Sequence, residues 1–186
     1  MKNTSTLITL AGLMISALTL HAASKADVDA KYNSYHTAGK AVLEMALTKK
    51  IDSAEVEKKV NSMVADATWI ATEYGKAHPK GEKLMKVITE NVEAMKKLSY
   101  KDLEHEWHDL NYFTKSGSND FGIDVKAEDN EHFTDPLHAI VHPILVLKAA
   151  QAYSTSKSDD ELKSIKEEME EGLEQMEKCR TVLNKK

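Results

Sequence analysis

The apolar side chains of this chain recur at helical spacing over most of its 186 residues. The spacing is most regular in two segments, where the steps alternate between three and four residues. These two seams consist of Val56, Val60, Met63, Ala67, Ile70 and Tyr74, and of Leu162, Ile165, Met169, Gly172, Met176, Cys179 and Leu183. Such steps place all members of a seam on one face of a helix, and the alternation typical of strands does not occur in the sequence. The sequence therefore predicts an all-α fold.

The same periodicity predicts five helical segments, four of them principal helices. They cover 28–50, 53–75, 81–98, 136–153 and 158–186, and Ser99 favours a continuation of the third over 100–113. Short connections between long amphipathic helices make neighbouring helices antiparallel. We therefore expect an up-and-down antiparallel four-helix bundle with an extended third helix and a long acidic loop, 115–135, before the fourth. Pro143 is expected to kink the fourth segment.

The N-terminal segment, 1–26, has the pattern of a cleaved export signal. A positively charged start precedes an apolar run over 7–20, and small residues follow it. The run is too short to span a bilayer comfortably, and an uncleaved membrane anchor is the alternative. Small residues at positions 24 and 26 predict cleavage after Ala26, with cleavage after Ala22 as the second choice. The expected product is one periplasmic or secreted domain, 27–186, without a membrane attachment.

Charge and cysteine content exclude several classes of protein. The formal net charge is −5, so the chain lacks the basic surface that binds a phosphate backbone, and nucleic acid is not an expected partner. Cys179 is the only cysteine. The chain therefore forms no internal disulfide, no four-cysteine zinc site and no C-x-x-C-H haem attachment. Because Cys179 lies on a seam, we expect it to be buried and inert.

Four of the eight histidines form two pairs at helical spacing. His105 and His108 are three residues apart, and His138 and His142 are four apart, so each pair lies on one helix face. The second pair lies among apolar residues, where a buried imidazole requires a carbonyl, a carboxylate or a metal as its partner. The first pair lies opposite the apolar stripe of its own helix. We expect the long loop, whose own apolar residues predict docking, to cover this face and to bury His105, His108 and Tyr112.

The two pairs together predict a non-catalytic transition-metal site. The expected ligands are His105, His108, His138 and His142. Four nearby groups are expected to surround the site or to substitute as ligands, namely Glu104, Asp109, His132 and Asp135. Bundles form such sites from side chains on facing helices, and imidazole-rich sites suit zinc and copper, which are the expected metals.

Two other classes of function remain open on the sequence. One is a metal-free module that binds a small molecule or a periplasmic protein and uses its histidines structurally or for pH sensing. The other is non-covalent b-type haem binding through one histidine and a second histidine or methionine. The spacing of His105 and His108 lacks one residue of the H-E-x-x-H zinc-protease motif. With no EF-hand, P-loop or G-x-S-x-G pattern in the sequence, no class of enzyme is indicated.

Overall fold

The computed structural model describes residues 23–115 and 121–185, and all regular secondary structure within these ranges is helical. The α-helices are α1 (Lys25–Leu47), α2 (Ser53–Ala77), α3 (Glu82–Glu90), α4 (Val92–Met95), α5 (Tyr100–Leu103), α6 (Asn111–Lys115), α7 (Asp135–Ser156) and α8 (Asp159–Asn184). A π-helical turn spans Glu104–His108, and short 3-10 helices span Pro79–Gly81 and Glu128–Phe133. The predicted all-α class is confirmed. Nearly all of the predicted export signal lies outside the described residues.

The four longest helices pack against one another around the core. Helix α1 contacts α2 and α8, and α7 contacts the same two helices. Helix α7 is buried on almost every side, as its sequence predicts, because it lies against both α2 and α8. Within the described ranges, no helix combines the length and the apolar character needed to cross a membrane.

The two seams predicted from the sequence form the inward faces of α2 and α8. All six seam residues of α2 are buried, and so are all those of α8 except Leu183, which is half-buried near the end of the helix. Cys179 has no exposed surface, which confirms its predicted burial. Burial of one continuous apolar stripe per helix supplies most of the stability of such helices, since propensity alone is weak.

The starts of the long helices follow from their capping residues. Ser24 caps α1 and forms a reciprocal capping box with Asp27. Asp52 accepts hydrogen bonds from the backbone N–H groups of Ala54 and Glu55 at the start of α2. Ser158 caps α8, as its position before three acidic residues predicts. Each side-chain oxygen satisfies N–H groups that have no partner inside the helix.

The predicted extended third helix is wrong, because the chain between residues 82 and 115 forms short pieces instead. The amide of Asn91 donates to the Val87 carbonyl, and a turn at Asn91 separates α3 from α4. Side chains that bond to nearby carbonyls compete with the helical backbone in this way. Leu110 adopts the left-handed region with φ 61° and ends the continuation before Phe113. A long side chain rarely adopts this conformation, so tertiary packing imposes it.

The described part of the 115–135 loop docks on the helices, as predicted. Its apolar side chains Phe121, Ile123, Val125 and Phe133 are all buried. Phe121 packs edge-on against Phe113 with ring centroids 5.1 Å apart. Asn130 is also buried, and it donates to the Asp124 carbonyl and accepts a hydrogen bond from Lys80. These contacts hold the loop against α6 and the 3-10 helix that follows α2.

Candidate metal centre

The π-helical turn determines where the first histidine pair points. Its closing bond runs from the N–H of Asp109 to the carbonyl of Glu104, five residues earlier. A π turn is wider than an α turn, so residues three apart are spread further around the axis. His105 and His108 therefore do not share one face, as they would in an α-helix. Single π turns of this kind occur frequently at functional sites.

The two histidines of this turn have different environments. The His108 ring is about one third exposed and lies close to α7, with centroid distances of 5.2 Å to His138 and 5.1 Å to His142. His105 is exposed, and both its ring nitrogen and its carbonyl contact the amide of Asn111. The structure thus brings His108, His138 and His142 together and leaves His105 outside. The expectation that the loop buries His105 is wrong, because the wider turn directs it to solvent, and His108 and Tyr112 are only half-buried.

A close approach of α7 and α8 positions His142. A Cβ atom on Gly172 of α8 would lie only 3.0 Å from the Tyr35 hydroxyl and 3.1 Å from Cβ of His142. Glycine is therefore required for the two helices to come this close at the level of His142. Glu168 and Glu171 are three residues apart on α8, so they lie on one side of that helix next to Gly172, and both reach His142.

Pro143 cannot donate a hydrogen bond to the carbonyl of Ala139, so that carbonyl is open to a donor from another helix. The helix nevertheless continues through Pro143 to Ser156. The Tyr35 hydroxyl lies 2.8 Å from the Ala139 carbonyl and 3.2 Å from the Gly172 carbonyl, so it supplies the missing donor. Tyr35 is completely buried, and the hydroxyl therefore links α1 to both α7 and α8 inside the core.

His142 is held between two carboxylates of α8. Its side chain is 1% exposed, its Nδ1 lies 2.8 Å from Oε2 of Glu168, and its Nε2 lies 3.6 Å from Oε2 of Glu171. A neutral imidazole that donates from Nδ1 to Glu168 keeps a lone pair on Nε2. Glu168 thereby fixes both the orientation and the tautomer of His142, and the nitrogen on the Glu171 side is the one available to a metal.

Glu168 remains charged in this partly buried position. Burial opposes its charged form, but hydrogen bonds from His142 and Tyr100 outweigh burial and lower the pKa of Glu168. The Tyr100 hydroxyl donates to Oε1 of Glu168 over 2.5 Å, while His142 occupies the other oxygen. Tyr100, Glu168 and His142 thus form a hydrogen-bonded chain that leads to the candidate ligand nitrogen.

Three side chains present ligand atoms to a common point. One atom each from His108, His142 and Glu171 lie within 4.8 Å of one another. A tetrahedral metal with bonds of about 2.1 Å holds its ligand atoms about 3.4 Å apart, so a modest contraction is needed. Glu171 can supply it, because its side chain is 57% exposed and free to change rotamer, whereas His142 is fixed by packing.

His138 lies directly beside this group. Its Nε2 is 3.2 Å from the His108 carbonyl, and its ring centroid is 5.7 Å from that of His142. Burial, together with the neighbouring His142, lowers the pKa of His138 to about 4. The ring is therefore neutral at physiological pH and needs to lose no proton before it binds a metal.

The four predicted neighbouring groups are spread over the surroundings of the site. Asp109 is 3.4 Å from Nδ1 of His108, which leaves Nε2 of that ring for a metal, and Glu104 is exposed. Asp135 is buried, burial raises its pKa to about 6, and it lines a cavity of about 450 Å³ together with His138. His132 packs on Phe133 and next to His78, away from both histidine pairs.

Sequence reasoning missed Glu168, Glu171 and Tyr100. Helix α8 is rich in glutamate along its whole length, so no single acid stands out in the sequence. The one available signal was Gly172, the member of the α8 seam that has no side chain and that marks a close approach to α7. Comparisons with protein-family models, with curated proteins and with solved structures find no match to this chain. Any function is therefore inferred from the site itself.

Proposed function

We propose that this protein binds a divalent transition metal through His108, His142 and Glu171. The observation that carries the proposal is the environment of His142, whose Nδ1 is bonded to a charged carboxylate while Nε2 faces Glu171. A carboxylate behind a histidine is the usual support of a metal ligand, because it fixes the ring and increases its basicity. The second carboxylate, Glu171, faces the other ring nitrogen and can share a metal ion with it.

The ligand types favour zinc, with copper as the alternative. Imidazole binds both metals well, and a carboxylate oxygen completes many zinc sites. Imidazole centroids that share a tetrahedral zinc ion lie about 5 Å apart, given bonds of 2.0–2.1 Å. The three rings of His108, His138 and His142 are 5.1–5.7 Å apart, so His138 fits as a fourth ligand once it releases the His108 carbonyl. Four protein ligands leave no position for a substrate, which supports binding without catalysis.

We further propose that the fold is an antiparallel four-helix bundle of α1, α2, α7 and α8, exported to the periplasm. The contacts α1–α2, α2–α7, α7–α8 and α8–α1 close a ring of four helices. Short connections after α1 and α7 favour antiparallel neighbours. The export proposal depends on the apolar run over 7–20 and the small residues that follow it.

Zinc titration of matched histidine variants tests the metal proposal. We expect zinc to raise the melting temperature of the wild type, since a ligand that binds only the folded state stabilises it by mass action. His108→Ala should lose this response. His105→Ala is the control, because His105 lies in the same π turn but outside the ligand group. Equal zinc responses in both variants would contradict the proposal.

The metal-free alternative has one observation in its favour, the cavity of about 450 Å³ beside His138. That volume lies within the range of small-molecule sites. If the wild type responds to neither zinc nor copper, and its absorption spectrum shows no haem, binding of a small molecule in this cavity becomes the leading proposal.

A further inference from the structure

Ala23, which lies just before α1, forms a backbone hydrogen bond to a buried carboxylate on α2. Its backbone nitrogen lies 3.2 Å from Oε2 of Glu73 in α2, and its side chain packs on the core. Glu73 is 7% exposed, and its other oxygen binds Lys76 over 2.6 Å. A buried carboxylate is costly unless it is paired with charge and hydrogen-bonded. A second cation at the position of the Ala23 nitrogen would therefore suit Glu73 better than a neutral peptide group.

A second observation points to additional donors at the same place. Oδ1 of Asn184 is buried and has no hydrogen-bond partner within the described residues. Asn184 lines a cavity of about 380 Å³ together with Ala23 and Glu73. A peptide N–H has one hydrogen, which is already directed at Glu73, whereas an α-ammonium group has three. The extra donors would face the cavity that the Asn184 side chain lines.

The cap of α1 limits where the chain can be cleaved. Ser24 accepts from the backbone N–H of Asp27, and the Asp27 carboxylate accepts from the Ser24 backbone N–H. Cleavage after Ala26, which the sequence pattern favours, would remove this cap and the first residues of the helix. Losing such a cap destabilises the start of the helix. Cleavage after Ala22 keeps the cap and Ala23 intact.

We propose that the mature chain begins at Ala23 and that its α-ammonium group pairs with Glu73. A signal peptidase would hydrolyse the Ala22–Ala23 bond with one water, leaving a carboxylate on Ala22 and a protonated amine on Ala23. Ala22 supplies the small residue directly before the bond, and Leu20 takes the third position before it, where the pattern prefers a small residue. The inference rests on the export proposal and is independent of the metal site. The new N-terminus then joins the start of α1 to α2, beside the end of α8.

N-terminal sequencing and the intact mass of the protein purified from its native host test the cleavage. We expect Ala23 as the first residue. A chain that starts at Asp27, or at any other residue after Ala23, overturns this inference alone. A chain that still starts at Met1 and stays in the cytoplasm overturns the export proposal as well, so the two failures are distinguishable.

The ion pair is tested on the mature protein by the pH dependence of labelling of its α-amino group with cyanate. A free α-amino group has a pKa of about 7.7–8.0. We expect a higher pKa in the wild type, because the charged form is paired. In Glu73→Gln the proton affinity of the α-amino group should fall at least tenfold, toward that of a free α-amino group. Glu57→Gln is the control on an exposed face of α2 and should match the wild type. If Glu73→Gln also matches the wild type, the proposed ion pair is overturned.

Discussion

Replacing Gly172 by alanine tests whether the close approach of α7 and α8 builds the site. The new Cβ would lie 3.0 Å from the Tyr35 hydroxyl, 3.1 Å from Cβ of His142 and 3.5 Å from Cδ of Pro143. The two atoms on α7 are close to the backbone, so they move only if the helix moves. The helices must therefore separate, and this moves His142 away from Glu168 and Glu171.

The expected loss of stability follows from three contributions. Overpacking of a core costs about 1–3 kcal/mol. Weakening the hydrogen bond of the Tyr35 hydroxyl adds about 1 kcal/mol. Alanine is favoured over glycine inside a helix by about 1 kcal/mol, which offsets part of this. We expect Gly172→Ala to lower the free energy of unfolding by about 1–3 kcal/mol, a drop in melting temperature of roughly 2–12 °C for a domain of this size.

Urea denaturation and zinc titration of the variant measure both effects. Gly39→Ala is the matched control, because its Cβ would meet the flexible ends of Leu173, Met169 and Met63 at 2.8–3.2 Å, and these can move aside. We expect a smaller loss of stability for Gly39→Ala and an unchanged zinc affinity. If Gly172→Ala is as stable as the wild type and binds zinc equally well, close approach of the helices does not position the site.

Two further predictions concern buried polar groups near His142. Tyr35→Phe should lower the free energy of unfolding by about 1–3 kcal/mol in urea, because the Ala139 carbonyl loses its donor; a change below about 0.5 kcal/mol would contradict this. Burial lowers the pKa of His138 to about 4 and raises that of Asp135 to about 6. Between about pH 6.5 and pH 4, acidification therefore destabilises the fold through His138, because its imidazole takes up a proton at a higher pH in the unfolded chain than in the folded one. Acidification stabilises the fold through Asp135, because its carboxylate takes up a proton at a higher pH in the folded chain. Relative to the wild type, His138→Gln should gain stability on acidification over this range and Asp135→Asn should lose it, each by up to about 3 kcal/mol. If the melting temperatures of the wild type and both variants change equally with pH, the shifted pKa values of His138 and Asp135 are refuted.

The sequence predicted the helices that carry a regular apolar period. The seams of α2 and α8 were correct, and Cys179 was correctly placed in the core, because burial of one helix face is encoded locally in the spacing of residues. Between residues 82 and 115, the helical character and the cap at Ser99 were predicted correctly, but the division into short helices was not. The break at Leu110 needs a left-handed conformation that leucine does not favour, so only contacts with the rest of the protein explain it.

The candidate site was predicted in part for the same reason. Helical spacing drew attention to His138 and His142, whose rings lie 5.7 Å apart on the regular helix α7. The prediction that His105 and His108 share one face assumed an α-helix. The segment forms a π turn, and this turn separates the two side chains. The two glutamates of α8 could not be selected, because many acids follow that helix and only its rotation against α7 decides which ones face His142.

The central claim is that one metal ion lies between the π turn, α7 and α8. Anomalous diffraction at the zinc absorption edge from crystals grown with zinc locates that ion directly. We expect the strongest anomalous peak among His108, His142 and Glu171, with bonds of about 2.0–2.2 Å and with Glu168 hydrogen-bonded to His142 behind it. A strongest peak at the exposed His105, beside His78 and His132, or at no fixed position in the protein would contradict the claim.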